Sequence, residues 1–403
     1  MRRVLALLLV ALAAGAAGWL AGSGAAGAGG VRLVRVEDSP VGAATAPLAA
    51  PPPLADGPVR GVILVVGDGM GLAQSAAARD RVLGPDGRFL FERFPVTGLV
   101  ETHPAGGLIT KSDAAATALA SGAKTVNGRL GESPAGRALP TLLERARDAG
   151  LATGLVTTSA IVDATPAAFA AHVGSRYDYH DIAEQMVAAK IDLLAGGGGE
   201  KLAPRATGEG PLAEAAARGV AVVTDLAGLA AADRLPLWAV FPGSRLGEEP
   251  AHPDVGELAE RALDLLPAEA RRRGTGFFLM IEEEGVDTAG HARSFSRLAA
   301  AVARLDRAVA AAVRFAAADG ATLILVVGDH STGGLEIDHE STSGRLRVVW
   351  ASSQHGGEPV PIYAYGPRSA ALAFTGLHDN TEIHDLIAAA LGLAPAPAPG
   401  TTP

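Results

Sequence analysis

Short apolar runs alternate with longer amphipathic segments along most of the chain. The runs include "GVILVVGDG" from Gly61, "GLATGLVTT" from Gly150, "GFFLMIEEEG" from Gly276 and "ATLILVVGDH" from Ala321. Each is bulky or β-branched and stops at Gly, Thr or an acid. That pattern predicts strands buried on both faces, as in a parallel sheet. Between them, "LPTLLERARDAG" and "FSRLAAAVARLDRAVAAAVRFAAADG" repeat their apolar positions with helical period and end at Gly, a helix-stop signal. The alternation predicts an α/β fold, with helices on both faces of a parallel sheet. A further strand-like piece, "GLIT" at residues 107–110, precedes a predicted helix at 114–120.

The ends of the chain break this pattern. The first 30 residues carry two arginines, an apolar run from Val4 to about Gly22, and then small residues. This predicts an export signal over 1–30, or an uncleaved membrane anchor, since the run is nearly long enough to span a bilayer. A Pro/Ala-rich linker is expected over 31–58 and a disordered tail over 394–403. One catalytic domain is expected between them, over 59–393.

Composition narrows the chemistry. The 403 residues are 48% hydrophobic and 19% charged, as in a globular protein. The net charge of −9 argues against a nucleic-acid partner held through phosphate contacts. Cysteine is absent, which excludes disulfides, thiolate metal sites and cysteine nucleophiles. Any transition metal must then be held by His and carboxylates.

In open α/β sheets, ligands bind beyond the carboxyl ends of the strands. The residues found there are Asp68 after the first run, Asp163 and Thr165 after the second, Glu282–Glu284, Asp287 and His291 after the third, and Asp329 and His330 after the fourth. A single such Asp serves as well as a helix cap or turn residue. Together they form a repulsive cluster that persists if cations sit within it. Mixed carboxylate and imidazole donors suit zinc. Ser112 falls at the start of the 114–120 helix. It is a nucleophile where the helix dipole and a metal favour its alkoxide, or else a simple cap, as Thr110 is too. "GDGMG" lacks the spacing of a dinucleotide loop, and "AGGGGEKL" lacks the Lys-Ser/Thr ending of a phosphate loop.

The blocks "VILVVGDGMG", "SDAAATALASGAKTVNG", "GLATGLVTTSAIVDATPAAFAAHVGSR", "EEEGVDTAGH", "VVGDHSTGG" and "QHGGEPVPIYAYGP", closed by "GLHDNTEIHDLIAAALGL", resemble the alkaline phosphatase family in order and nearly throughout the globular region. The resemblance implies a three-layer sandwich with a mostly parallel central sheet, two zinc ions and one magnesium. It assigns Asp68, Asp329 and His330 to one zinc, with Asp68 also reaching the magnesium. It assigns Asp287, His291 and His355 to the other zinc. Thr165 and Glu282 resemble magnesium ligands, with Asp163 acting through water. Ser112 aligns with the nucleophile and Arg176 with the arginine that grips the phosphate. The implied activity is hydrolysis of small phosphate monoesters through a phosphoserine, by an enzyme of a family whose members are often homodimers. The N-terminal segment predicts that the folded part sits outside the cytoplasm, periplasmic or secreted. The alternatives are a phosphodiesterase of the same superfamily and a metal- or phosphate-binding protein with impaired catalysis.

The chain departs from the family around Ser112. The family usually has Asp directly before the nucleophile, where it orients the arginine; here the order is Lys111-Ser112-Asp113. Lys111 adds positive charge near the phosphate. Asp113 either takes over the contact with Arg176 or repels the substrate. Glu282 is followed by Glu283 and Glu284 rather than Gly, and His355 by Gly356 rather than Thr. His172 is expected to be a packed or surface residue.

Overall fold

The computed structural model describes residues 35–42, 50–53, 55–202, 210–249 and 251–394. The expected export segment over 1–30 and the expected tail beyond residue 394 lie outside them. The strands are β1 (Arg35–Pro40), β2 (Gly61–Gly67), β3 (Val96–Glu101), β4 (Ala152–Ala160), β5 (Leu193–Gly197), β6 (Ala221–Val223), β7 (Leu237–Val240), β8 (Phe277–Glu283), β9 (Thr322–Gly328), β10 (Leu335–Ile337), β11 (Arg345–Trp350), β12 (Val360–Tyr365) and β13 (Gly376–Asp379).

Ten of them form one sheet in the order β13-β3-β12-β9-β2-β8-β4-β5-β7-β6. Every pairing is parallel except those of β12 with β3 and β9. The four apolar runs of the sequence are β2, β4, β8 and β9. They are contiguous at the middle of the sheet, so their carboxyl ends open onto one crevice.

Period-2 alternation divides each central strand between two cores. Ile63, Val65, Leu279, Ile281, Ile324 and Val326 pack with helices Val255–Arg273 and Phe295–Asp319. Val62, Leu64, Val66, Met280, Leu325 and Val327 face the other way, towards helices Ser112–Ser121, Leu142–Asp148 and Asn380–Ala390. This is the expected three-layer sandwich. Gly274 and Gly320, at φ +71° and +73°, end the two long helices in the left-handed conformation that glycine permits.

Two local expectations are corrected. Residues 107–110 are not a strand. Leu108 is 82% exposed and Ile109 45%, so no sheet face receives them. Part of the expected linker is ordered: β1 runs antiparallel to β11, which also carries β10, in a separate three-stranded sheet. The run "RVEDSP" is charged and short, and its partner lies some 300 residues away, so only the pairing reveals it.

Candidate active site

The register of the central strands brings the acids together. Val66 is paired with Glu282 and Val327, and Thr157 with Glu282. Asp68 and Asp329 follow at the same level. Gly69, at φ +73°, brings its backbone close to Asp287, where a Cβ would meet Asp287 Cα at 2.7 Å, and donates its N–H to Asp329 Oδ1.

Two clusters result. Asp68, Asp329 and His330 can bring ligand atoms within 4.8 Å of one another, and so can Asp287, His291 and His355. Asp287 and His291 are four residues apart in helix Gly285–Ala292, which places them on one face. His355 comes from the distant segment before β12.

The histidines are held in the metal-binding tautomer. His291 Nδ1 lies 2.7 Å from Ser353 O, and His355 Nδ1 lies 2.8 Å from Thr110 O. Each Nδ1 must carry the proton to bond a carbonyl, so in the neutral rings each Nε2 presents a lone pair. Those two Nε2 atoms are 3.1 Å apart and both face Asp287. In the neutral rings two lone pairs at that distance cannot bond one another; a shared cation resolves the contact, as does a proton on His291, whose pKa the neighbouring Asp287 raises. At His330, Thr332 Oγ1 donates to Asp287 and accepts from Nδ1, which turns Nε2 towards Asp68 and Asp329 at 3.5 and 3.2 Å.

The carboxylates say the same. Asp68 Oδ1 and Asp329 Oδ2 are buried without hydrogen-bond partners, a costly arrangement unless an ion satisfies them. Burial and neighbouring acids push Asp68 well above the usual carboxylate range. Burial, against hydrogen bonds from Thr157 and Thr165, puts Glu282 at about 8. Asp329 is raised to about 7, chiefly by burial. Burial lowers His330 and His355 to about 4. For Asp287 the histidines outweigh burial and its pKa falls. The residues present therefore fit divalent cations.

The glutamate run is divided by alternation along β8 and by what packs on each side of it. Glu282 faces the cleft and accepts from Thr157 Oγ1 at 2.5 Å. Glu283 faces the opposite core and pairs with Arg304 at 2.8 Å. Glu284 lines the cleft and accepts from Thr288. Thr157 and Thr332 escape a reading of motifs, because their roles depend on strand register and on a loop folding back.

Ser112 is the first residue of its helix, and no side chain caps that helix. The cap reading of Ser112 and Thr110 therefore falls: Thr110 bonds the Lys111 carbonyl, and Ser112 Oγ lies 3.3 Å from His330 Nε2. Asp113 is fully buried. Its Oδ1 accepts from the N–H groups of Ala114 and Gly128, and its Oδ2 lies 3.3 Å from Arg176 Nη1. Asp163 takes the other guanidinium nitrogen at 2.8 Å. Burial works against the charge on Arg176, but these two carboxylates hold its pKa above normal. Of the two roles open to Asp113, contact with Arg176 is the one observed. His172 stays outside the cleft, bonded to Gly131 O and Glu144.

A cleft of about 510 Å³ joins Asp68, Ser112, Thr165, Arg176, Asp287 and His355. A family model for alkaline phosphatase matches residues 59–345 and 336–393. The chain belongs to the alkaline phosphatase family. It is 34% identical to a streptomycin-6-phosphate phosphatase of Streptomyces griseus, over 83% of this chain and 91% of that one. It is 32% identical to the alkaline phosphatase of Escherichia coli K12, over 84% and 88%. The alkaline phosphatase of the Antarctic bacterium TAB5 superposes with a TM-score of 0.75 at 27% identity, covering 85% of this chain and all of that one. A variant of the TAB5 enzyme has Mg bound in its M3 site. The present chain is thus a metal-dependent phosphatase of this family.

Proposed function

We propose that the protein hydrolyses phosphate monoesters through a phosphoserine formed on Ser112, with two zinc ions and one magnesium as its metals. The carrying observation is the placement of the Ser112 hydroxyl in one cleft with both Asp/His clusters and with Arg176. Asp68, Asp329 and His330 would hold one zinc, and Asp287, His291 and His355 the other. Asp68, Thr165 and Glu282 would hold the magnesium, with Asp163 acting through water. When bound, the metals would supply Lewis-acid stabilisation of the attacking and leaving oxygens.

Ser112 Oγ loses its proton and attacks phosphorus, and the bond to the ester oxygen breaks. That oxygen leaves with a proton as the alcohol. Water then attacks the phosphoserine, the P–Oγ bond breaks, and Ser112 recovers a proton as inorganic phosphate departs. Arg176, bonded to Asp113 through Nη1 and to Asp163 through Nη2, would offer its remaining N–H groups to the non-reacting oxygens. Free N–H groups at the start of the Ser112 helix add to that stabilisation.

The binding-only alternative rested on Lys111 and Asp113 beside Ser112, and the contact of Arg176 with Asp113 speaks against the Asp113 half of it. Export is proposed from residues 1–30. Among the described residues, no helix is long and apolar enough to cross a membrane.

The test is hydrolysis of a chromogenic monoester between pH 7 and 10, with zinc and magnesium and after chelation. Turnover should rise towards alkaline pH and require metal. Ser112→Ala should lower kcat by at least about a thousandfold. Metal-dependent turnover that survives in Ser112→Ala would refute the phosphoserine.

A further inference from the structure

We propose that Lys111 is a specificity-determining residue that binds a second anionic group, carried on the leaving group of the substrate. This rests on the monoesterase reading above and names the class of monoester.

The cleft lining contains two permanent cations, Arg176 and Lys111, among acids that include Asp68, Asp163, Glu282, Glu284 and Asp287. Arg176 is committed: Asp113 and Asp163 hold it from two sides. Lys111 has no ion-pair partner among the described residues. Because Asp113 supplies the arginine's second carboxylate, position 111 has no orienting duty. Its main chain is nonetheless fixed, since Asn127 Oδ1 accepts its N–H at 2.9 Å.

Depth separates the two cations. Ser112 is buried, at 5% exposure, while Lys111, the adjacent residue, is exposed. A phosphoryl group at Ser112 therefore leaves its alcohol half directed outwards, past Lys111. Tyr177 lies on the same cleft, 69% exposed, with its ring centroid 5.9 Å from the Arg176 guanidinium. Ile109 is also there and is 45% exposed. The mouth thus offers apolar surface and one unpaired cation. It suits an apolar or aromatic leaving group bearing a carboxylate or a second phosphate.

The test compares phenyl phosphate with 3-carboxyphenyl phosphate in the wild type, Lys111→Gln, Lys111→Glu and Lys111→Arg. Ratios of kcat/KM between the two substrates, compared across variants, cancel the intrinsic difference in their leaving groups. Lys111→Gln should lower the carboxylate-to-neutral ratio about tenfold, mostly through KM. A contact remote from the reacting atoms serves ground and transition states alike. Lys111→Glu should lower the ratio further and Lys111→Arg should restore it. The wild-type KM for the carboxylated ester should rise between 20 and 200 mM salt. Equal losses on both substrates, or losses confined to kcat, would place Lys111 on the transferring phosphoryl group and overturn the proposal. A ratio unchanged in all variants would also overturn it. Turnover of neither ester by the wild type would mark failure of the monoesterase reading itself.

Discussion

At Ser112 the buried carboxylate follows the serine rather than preceding it. Asp113 is fully buried and holds Arg176 from the residue after Ser112, while the position before it carries Lys. Loss of one carboxylate from this group leaves Arg176 tethered by Asp163 alone. Asp113→Asn should therefore weaken competitive inhibition by inorganic phosphate about tenfold, with a rise in KM for every monoester. Lys111→Asp combined with Asp113→Ala should recover most of that affinity. An inhibition constant for phosphate that is unaffected in Asp113→Asn would show that Asp163 suffices.

Among the elements, β1 reaches the site without contributing a residue to it. Arg35 Nη1 donates to the Ala292 carbonyl, at the end of the helix that bears Asp287 and His291. Glu37 accepts the N–H of Phe295, where the next helix starts. The strand therefore braces the turn between the two helices. A chain starting at Val41 should be less stable than one starting at Val34 by about 2 kcal/mol, or roughly 4 °C in Tm. It should also lose its bound metal to a chelator faster. Identical Tm and metal-release rates for the two chains would show that β1 is only an appendage.

At the level of the molecule, the acid cluster links stability to pH and metal. Glu282 at about 8 and Asp329 at about 7 bind protons in the metal-free folded state that the unfolded chain has released by then. Folded-state uptake makes stability fall as pH rises through those values. His330 and His355, lowered to about 4, act in the opposite sense but only up to about pH 6.5, the ordinary histidine value. Above pH 6.5 the carboxylates act together with His291 and His172, whose raised pKa values work in the same sense. The metal-free protein should thus have a higher Tm at pH 6.5 than at pH 8.5. Divalent cations should reverse that order, raising stability by about 4 kcal/mol at a thousandfold excess over Kd, and their binding at pH 7 should release protons. Calorimetry in two buffers of different ionisation heat checks this; a metal-free Tm that rises from pH 6.5 to 8.5 would contradict it.

Local residue order was enough for much of this protein. Runs such as "GVILVVGDG" carry both a doubly buried strand and the acid at its end, because backbone period and chain order are local properties. Hence β2, β4, β8 and β9, the α/β class and most candidate ligands were legible, and with them Ser112 at a helix start. Strand β1, the loop at 107–110, the contact of Asp113 with Arg176 and the supporting bonds of Thr157 and Thr332 were not. Each depends on which segment lies opposite, in a register set by packing over hundreds of residues. The division of labour in "EEEG" has the same origin. Alternation along β8 says that Glu282 and Glu283 face apart, but only the placement of β8 between β2 and β4, with Arg304 behind it, shows which of the two meets the cleft.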